Sequence, residues 1–181
     1  MNVSMNELEF AVRWAALGRN VPPGLADEFA EAAAVIASLE ADPIAPVIDA
    51  LETLSADYQW GKLQLESDGS DLHIHGHASA IETAPVVSDA IRLQLRVEFT
   101  SKTPDTDLLI GYLHPLEPGR ELVPWMPDCL FERMTTTSAH HGIELAIDDW
   151  AALWHYTTRA LAPATAASRL SGAGAGLNDT D

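Results

Sequence analysis

At 181 residues with 47% hydrophobic side chains, the chain is long enough for one good core and too apolar to be disordered throughout, yet no run approaches the roughly 18 apolar residues of a membrane-spanning helix. The 10 Lys and Arg against 27 Asp and Glu give a formal charge of −17, which argues against nucleic acid or an anionic membrane as partner, since binding a phosphate backbone requires cations that release its counterions. The lone Cys129 excludes an internal disulfide and a cysteine-cluster zinc site, and the first residues lack the basic and apolar regions of a secretion signal, so cytoplasmic residence is expected.

Ser4 followed by Glu7 reads as a capping box and opens a helix that runs to about Gly18. Its apolar residues fall into two stripes, Leu8, Val12 and Ala15 on one side and Phe10, Trp14 and Leu17 on the other. Such a helix wants neighbours on both sides, and Phe10 with Trp14 has the aromatic character of a contact with a second chain. Pro22-Pro23-Gly24 breaks the chain before a second helix, in which Leu25, Phe29, Ala32, Ile36 and Leu39 share a face while Asp27, Glu28 and Glu31 face solvent near its start. Asp42 then caps a third helix with Pro43 at its first position and Ile44, Val47, Ile48 and Leu51 as the buried stripe. Residues 1–57 thus make a three-helix unit, too short to be stable alone and expected to pack on the remainder of the chain.

From Tyr58 the period changes to two. Leu63 and Leu65 alternate with Lys62, Gln64 and Glu66, and the turn Ser67-Asp68-Gly69-Ser70 leads into Asp71-Leu72-His73-Ile74-His75-Gly76-His77, so a β-hairpin is expected over residues 59–79. Ala84-Pro85 interrupts the chain, and residues 86–91 are ambiguous between helix and strand. Leu93, Leu95, Val97 and Phe99 alternate with Arg92, Gln94, Arg96 and Glu98, the pattern of a strand with one wet face, and residues 108–113 form a shorter, more buried apolar strand. A proline-stiffened excursion from Pro115 to Pro127 carries Val123 and Trp125 as an exposed-looking pair. A helix is expected over residues 127–141 ending at Gly142, then a strand through Ile143, Leu145 and Ile147. Asp148 or Asp149 caps a further helix over residues 150–161 with Trp150, Leu153, Trp154 and Leu161 on one face, and Pro163 restarts a short helix to Leu170.

The opening Asn2-Val3-Ser4 with Asn6-Glu7 and the close Ala167-Ser168-Arg169-Leu170, followed by Gly172-Ala173-Gly174-Ala175-Gly176-Leu177 and by Asp179 with Asp181, resemble an uncharacterised bacterial family known as domain of unknown function 3726. The acidic second helix and Asp149-Trp150-Ala151-Ala152-Leu153 add to the likeness. The resemblance implies a bacterial origin and a single-domain protein, and it assigns no catalytic residue.

The histidine run is the one chemically pointed feature. As a strand it puts Leu72 and Ile74 on one face and His73, His75 and His77 on the other. Imidazole is a common ligand of zinc and its neighbours. His73 and His77 are roughly 13 Å apart along a straight strand, so the economical site is His73 with His75, completed by Glu98, His114, His140 or His141. The plain alternative is a solvated strand face. Gly172-x-Gly174-x-Gly176 follows a helix and no strand, which speaks against a dinucleotide loop and for either a tail whose small residues let the backbone lie close to another surface or a plain disordered tail. Cys129 reads either as a nucleophile paired with His140 or His141 or, more plainly, as a small apolar filler.

Together these features predict an α+β domain over residues 1–170, with an N-terminal helical layer (1–57) packed on a mostly antiparallel β-sheet of four or five strands and C-terminal helices (58–170), followed by a Gly/Ala-rich tail (171–181). The expected function is that of an accessory or binding subunit acting through protein contacts, with a protein partner or a homo-oligomer. The alternative is a small metal-dependent lyase or hydrolase in which His73 and His75 hold a divalent ion such as zinc and a water reacts.

Overall fold

The computed structural model describes residues 1–39, 44–55, 57–76, 79–100, 106–134 and 143–160. Within them the chain forms seven α-helices and five short strands in two sheets, an α+β arrangement in which helices pack on the sheet.

Helix α1 (Met5–Gly18) begins at the expected capping box: the Glu7 N–H donates to Ser4 Oγ at 3.2 Å and the Ser4 N–H to Glu7 Oε2 at 2.7 Å. Leu8, Ala11, Val12 and Ala15 are buried, whereas Phe10 on the second stripe is 50% exposed. Helix α2 (Pro23–Ser38) has Pro23 at its first position, where the missing N–H costs nothing, and buries Phe29, Ala33 and Ile36. Helix α3 (Ile44–Glu52) buries Ile44, Val47 and Leu51; its proposed cap, Asp42 with Pro43, lies outside the described residues. Arg19, just beyond α1, donates to the carbonyls of Leu51 and Leu54 and so ties the end of α3 to the end of α1.

Strand β1 (Asn2–Val3) pairs antiparallel with a strand near the other end of the chain, Ile143–Glu144. Between them come β2 (Gln64–Asp68) and β3 (Asp71–His75), an antiparallel hairpin whose turn is made by Gly69, at φ +78°, and Ser70. Next is helix α4 (Ala80–Arg92), followed by β4 (Arg96–Phe99), parallel to β3, which gives the three-stranded order β2-β3-β4. The parallel pair requires the crossover that α4 supplies.

Helix α4 corrects the expected break at Ala84-Pro85: Pro85 lies inside the helix. An interior proline costs roughly 3 kcal/mol, and burial outweighs it, because Ala84, Val87 and Ile91 make a helical stripe against Leu72, Ile74 and Val97 of the sheet, while Ile81 packs with the helical layer. The helix also shortens the next strand. Leu93 is its C-cap and 71% exposed, Gln94 turns at φ 60°, and the Leu95 and Gln94 N–H groups return to the carbonyls of Ala90 and Ile91 in a Schellman motif.

Residues 108–113, expected as a strand, belong to helix α5 (Thr106–Leu113). Leu108, Leu109, Ile110 and Leu113 are all fully buried, so the run is apolar all round and hides its helical period. α5 joins the two halves of the molecule: Leu108 packs in the cluster of α1, α2 and α3, Leu109 and Leu113 in the cluster under the sheet. Gly111 permits this, since a Cβ there would stand 2.3 Å from the Ala32 carbonyl oxygen of α2.

Two single 3-10 turns, His114–Leu116 and Arg120–Leu122, lead to helix α6 (Asp128–Met134). Val123, expected at the surface, is buried, and Trp125 is half-buried with its ring edge-to-face on Phe99 at 5.1 Å. The rest of the helix expected to Gly142 lies outside the described residues. Strand β5 (Ile143–Glu144) stops early and Ile147, 70% exposed, opens helix α7 (Ile147–Ala160), which packs along α1. Gly18 allows that approach, because a Cβ would lie 2.2 Å from the Tyr156 carbonyl oxygen. Leu161, the helix ending at Leu170 and the tail lie outside the described residues. No described helix is long and apolar enough to cross a membrane.

Candidate functional site: the histidine face and the pocket at its end

β3 takes the extended form that the alternation predicts. Leu72 and Ile74 are buried against α4, and His73 and His75 stand half-exposed on the other face. Pairing adds the neighbours: Glu66 of β2 and Glu98 of β4 flank His73, and Gln64 is opposite His75. The His73 ring lies between two carboxylates, Nδ1 3.6 Å from Glu98 Oε2 and Nε2 3.7 Å from Asp68 Oδ1. Arg96 holds the other oxygen of Glu98 at 2.7 Å. His73 and His75 therefore address different carboxylates. Of the proposed completing ligands, Glu98 stands beside His73, His114 sits in the turn after α5, and His77, His140 and His141 lie outside the described residues. Among the described residues no three His, Cys, Asp or Glu side chains form a group that could hold a metal ion.

His75 is the more constrained ring. Thr100 Oγ1 lies 3.2 Å from the Ile74 carbonyl oxygen and 3.0 Å from His75 Nδ1, and its one hydrogen serves one of the two. With that hydrogen on the Ile74 carbonyl, Nδ1 carries the ring hydrogen and the Nε2 lone pair is free in the neutral ring; with it on Nδ1, Nε2 carries the hydrogen and faces Glu66. Among the described residues Nε2 is closed off from solvent and has no hydrogen-bond partner; Glu66 Oε2 is 3.5 Å away. In the first tautomer a lone pair faces the carboxylate, and the gap suits a cation. Two ligands on one tetrahedral ion with bonds of about 2.0–2.1 Å stand about 3.4 Å apart.

At the end of the hairpin the same histidine borders a polar pocket of about 530 Å³, shared with Asp57, Tyr58, Lys62, Gln64 and Glu82. Ser79 caps α4 by accepting the Ile81 N–H at 3.2 Å. In an ordinary capping box the carboxylate three residues on would take the cap's own N–H. Here the Tyr58 hydroxyl is interposed: it accepts the Ser79 N–H at 2.8 Å and donates to Glu82 Oε2 at 2.6 Å, while Glu82 Oε1 accepts the Gly61 N–H at 2.6 Å. Burial, then the bond to Glu82, pushes the Tyr58 phenol up to about 12, so it remains a donor at neutral pH. Sequence patterning did not single out Tyr58 or Glu82. The available signal was Ser79-Ala80-Ile81-Glu82, hidden by reading Pro85 as the end of structure.

Cys129 is exposed in the first turn of α6, which corrects its reading as an apolar filler; its proposed partners His140 and His141 are not described. No family model matches the chain, and no match is found among curated proteins or solved structures.

Proposed function

We propose that the chain is an accessory or binding protein acting through protein contacts, and that the contact is made by the open edge of the β2–β3 hairpin. The observation that carries this reading is β2 itself. Among the described residues it is the end strand of its sheet, and all five of its residues are exposed. Unpaired N–H and C=O groups of such an edge are a template for an added strand. Leu65 pairs with Ile74 on the apolar face yet is 49% exposed, an apolar anchor beyond the reach of α4. On the other face Glu66, Asp68 and Glu98 outnumber Arg96, and the formal charge of −17 disfavours a second copy of the same chain. The occupant that fits is a basic extended segment of another protein.

Fluorescence anisotropy with an extended peptide alternating Lys and Val, and with its Glu counterpart, tests this. The wild type should bind only the basic peptide, and Glu66→Lys with Asp68→Lys should weaken binding at least about tenfold. Equal binding of both peptides, or no effect of charge reversal, rejects it.

The metal reading is favoured by one observation, the His75 Nε2 to Glu66 gap of 3.5 Å with Nδ1 anchored by Thr100. A histidine oriented through its second nitrogen is how such ligands are commonly held. His75 and Glu66 would be the ligands and a metal-bound water the reacting group. Untagged protein should then contain stoichiometric zinc-type metal that His75→Ala loses and His73→Ala retains. Metal-free wild-type protein ends this reading.

A further inference from the structure

A second cleft, of about 340 Å³, opens where α2, α4 and α5 meet. Glu28 and Glu31 line it from α2, Asp89 and Arg92 from α4, and Tyr112 from α5. We propose that this cleft binds a small organic cation, a primary ammonium compound whose charge is met by Glu28 and Glu31 and whose own hydrogen-bonding groups reach the Tyr112 hydroxyl.

The charges are unbalanced in the required sense. Arg92 Nη1 is 3.0 Å from Asp89 Oδ1 and is committed there. Glu28 and Glu31, one turn apart on α2 and both exposed, have no cationic partner within ion-pair distance among the described residues, the nearby Arg13 and Arg92 being paired with Asp27 and Asp89. Burial, with Asp89 and Glu31 nearby, raises the Glu28 carboxyl above its ordinary range, and Arg92 offsets this only in part. A bound cation opposes that shift.

An independent observation concerns the floor. The Tyr112 hydroxyl is enclosed and has no hydrogen-bond partner among the described residues. Buried polar groups are satisfied in the great majority of cases, and leaving one open costs stability. Burial foremost, then Glu28 and Glu31, holds this phenol far above its ordinary value, so it offers a neutral O–H. That disfavours a metal wanting a phenolate, and the two glutamates disfavour an anion.

The backbone walls of the cleft are held in place, so that side-chain movement alone opens the enclosed Tyr112 hydroxyl to it. Gly111, on its wall, brings the backbones of α5 and α2 into contact at Ala32. Its size is at the small end of ligand pockets, roughly 300–1,000 Å³.

The test is a chemical-shift titration of the full chain with ethanolamine and 1,4-diaminobutane as ammonium probes, ethylene glycol as neutral control and glycolate as anionic control. The proposal expects saturable shifts around Glu28, Glu31 and Tyr112 with an ammonium probe only. Glu28→Gln with Glu31→Gln should weaken binding about tenfold or more. Tyr112→Phe should also weaken it while raising the unfolding temperature of the free protein, because it deletes a hydroxyl with no partner among the described residues. The proposal is overturned if neither amine gives saturable shifts, if a control binds as well as the amines, or if the variants bind unchanged. A Tyr112→Phe protein that melts lower with unaltered binding would show that the hydroxyl serves folding alone, and overturns it too.

Discussion

The layer of α1, α2 and α7 and the β2–β3 hairpin are built on opposite terms. In the helical layer nearly every large inward side chain is shut away, Leu8, Val12, Phe29, Ile36 and Leu153 among them, and two glycines let backbones touch. In the hairpin only β3 has a buried side; β2 is exposed at every position and carries Glu66 and Asp68 toward the histidines. Packing fixes the identity of residues in the first region. In the second it fixes Leu72 and Ile74 and leaves the polar residues to answer to something outside the core.

The largest expected contrast is between Phe29 and Leu65. Phe29→Ala should cost about 3–5 kcal/mol in urea unfolding, and Leu65→Ala less than about 0.5 kcal/mol; similar costs would break the comparison. Gly111→Ala comes next, at about 1–3 kcal/mol, because the new methyl meets α2 backbone that has no free space. A neutral Gly111→Ala would mean that α5 is no joint. Tyr58→Phe should cost about 1–2 kcal/mol in the same measurement, since Ser79 N–H and Glu82 Oε2 both lose a partner.

The smallest effect is a pH dependence. Bonds from the Ser4 backbone and hydroxyl hold the exposed Glu7 carboxyl below its ordinary value. Stability from this contact is complete above the carboxyl's unfolded pKa and is lost as pH falls through the lower folded value. Unfolding measured between neutral and acid pH should show Ser4→Ala flattening that acid limb.

Legibility in the sequence divides along the same line. The ends of α1 and α2 were readable because Ser4 with Glu7 and Pro22-Pro23 act locally. The histidine face was readable because a period of two fixes side-chain direction regardless of partners. Helix α5 was missed because burial on all sides erases its period, and α4 because Pro85 is a local breaker overruled by tertiary contacts. Long-range pairing was silent: nothing near Glu82 announces Tyr58, 24 residues earlier, and nothing near Val123 announces the core that covers it.

The edge of β2 carries the most weight in the proposed function. Hydrogen exchange at amides 64–68, with and without the alternating Lys-Val peptide, tests it directly. Added strand pairing predicts that the outward-facing amides of β2 slow markedly with peptide while those of α1 do not change. Unchanged β2 exchange at saturating peptide, or protection appearing at Phe10 and Trp14 instead, contradicts it.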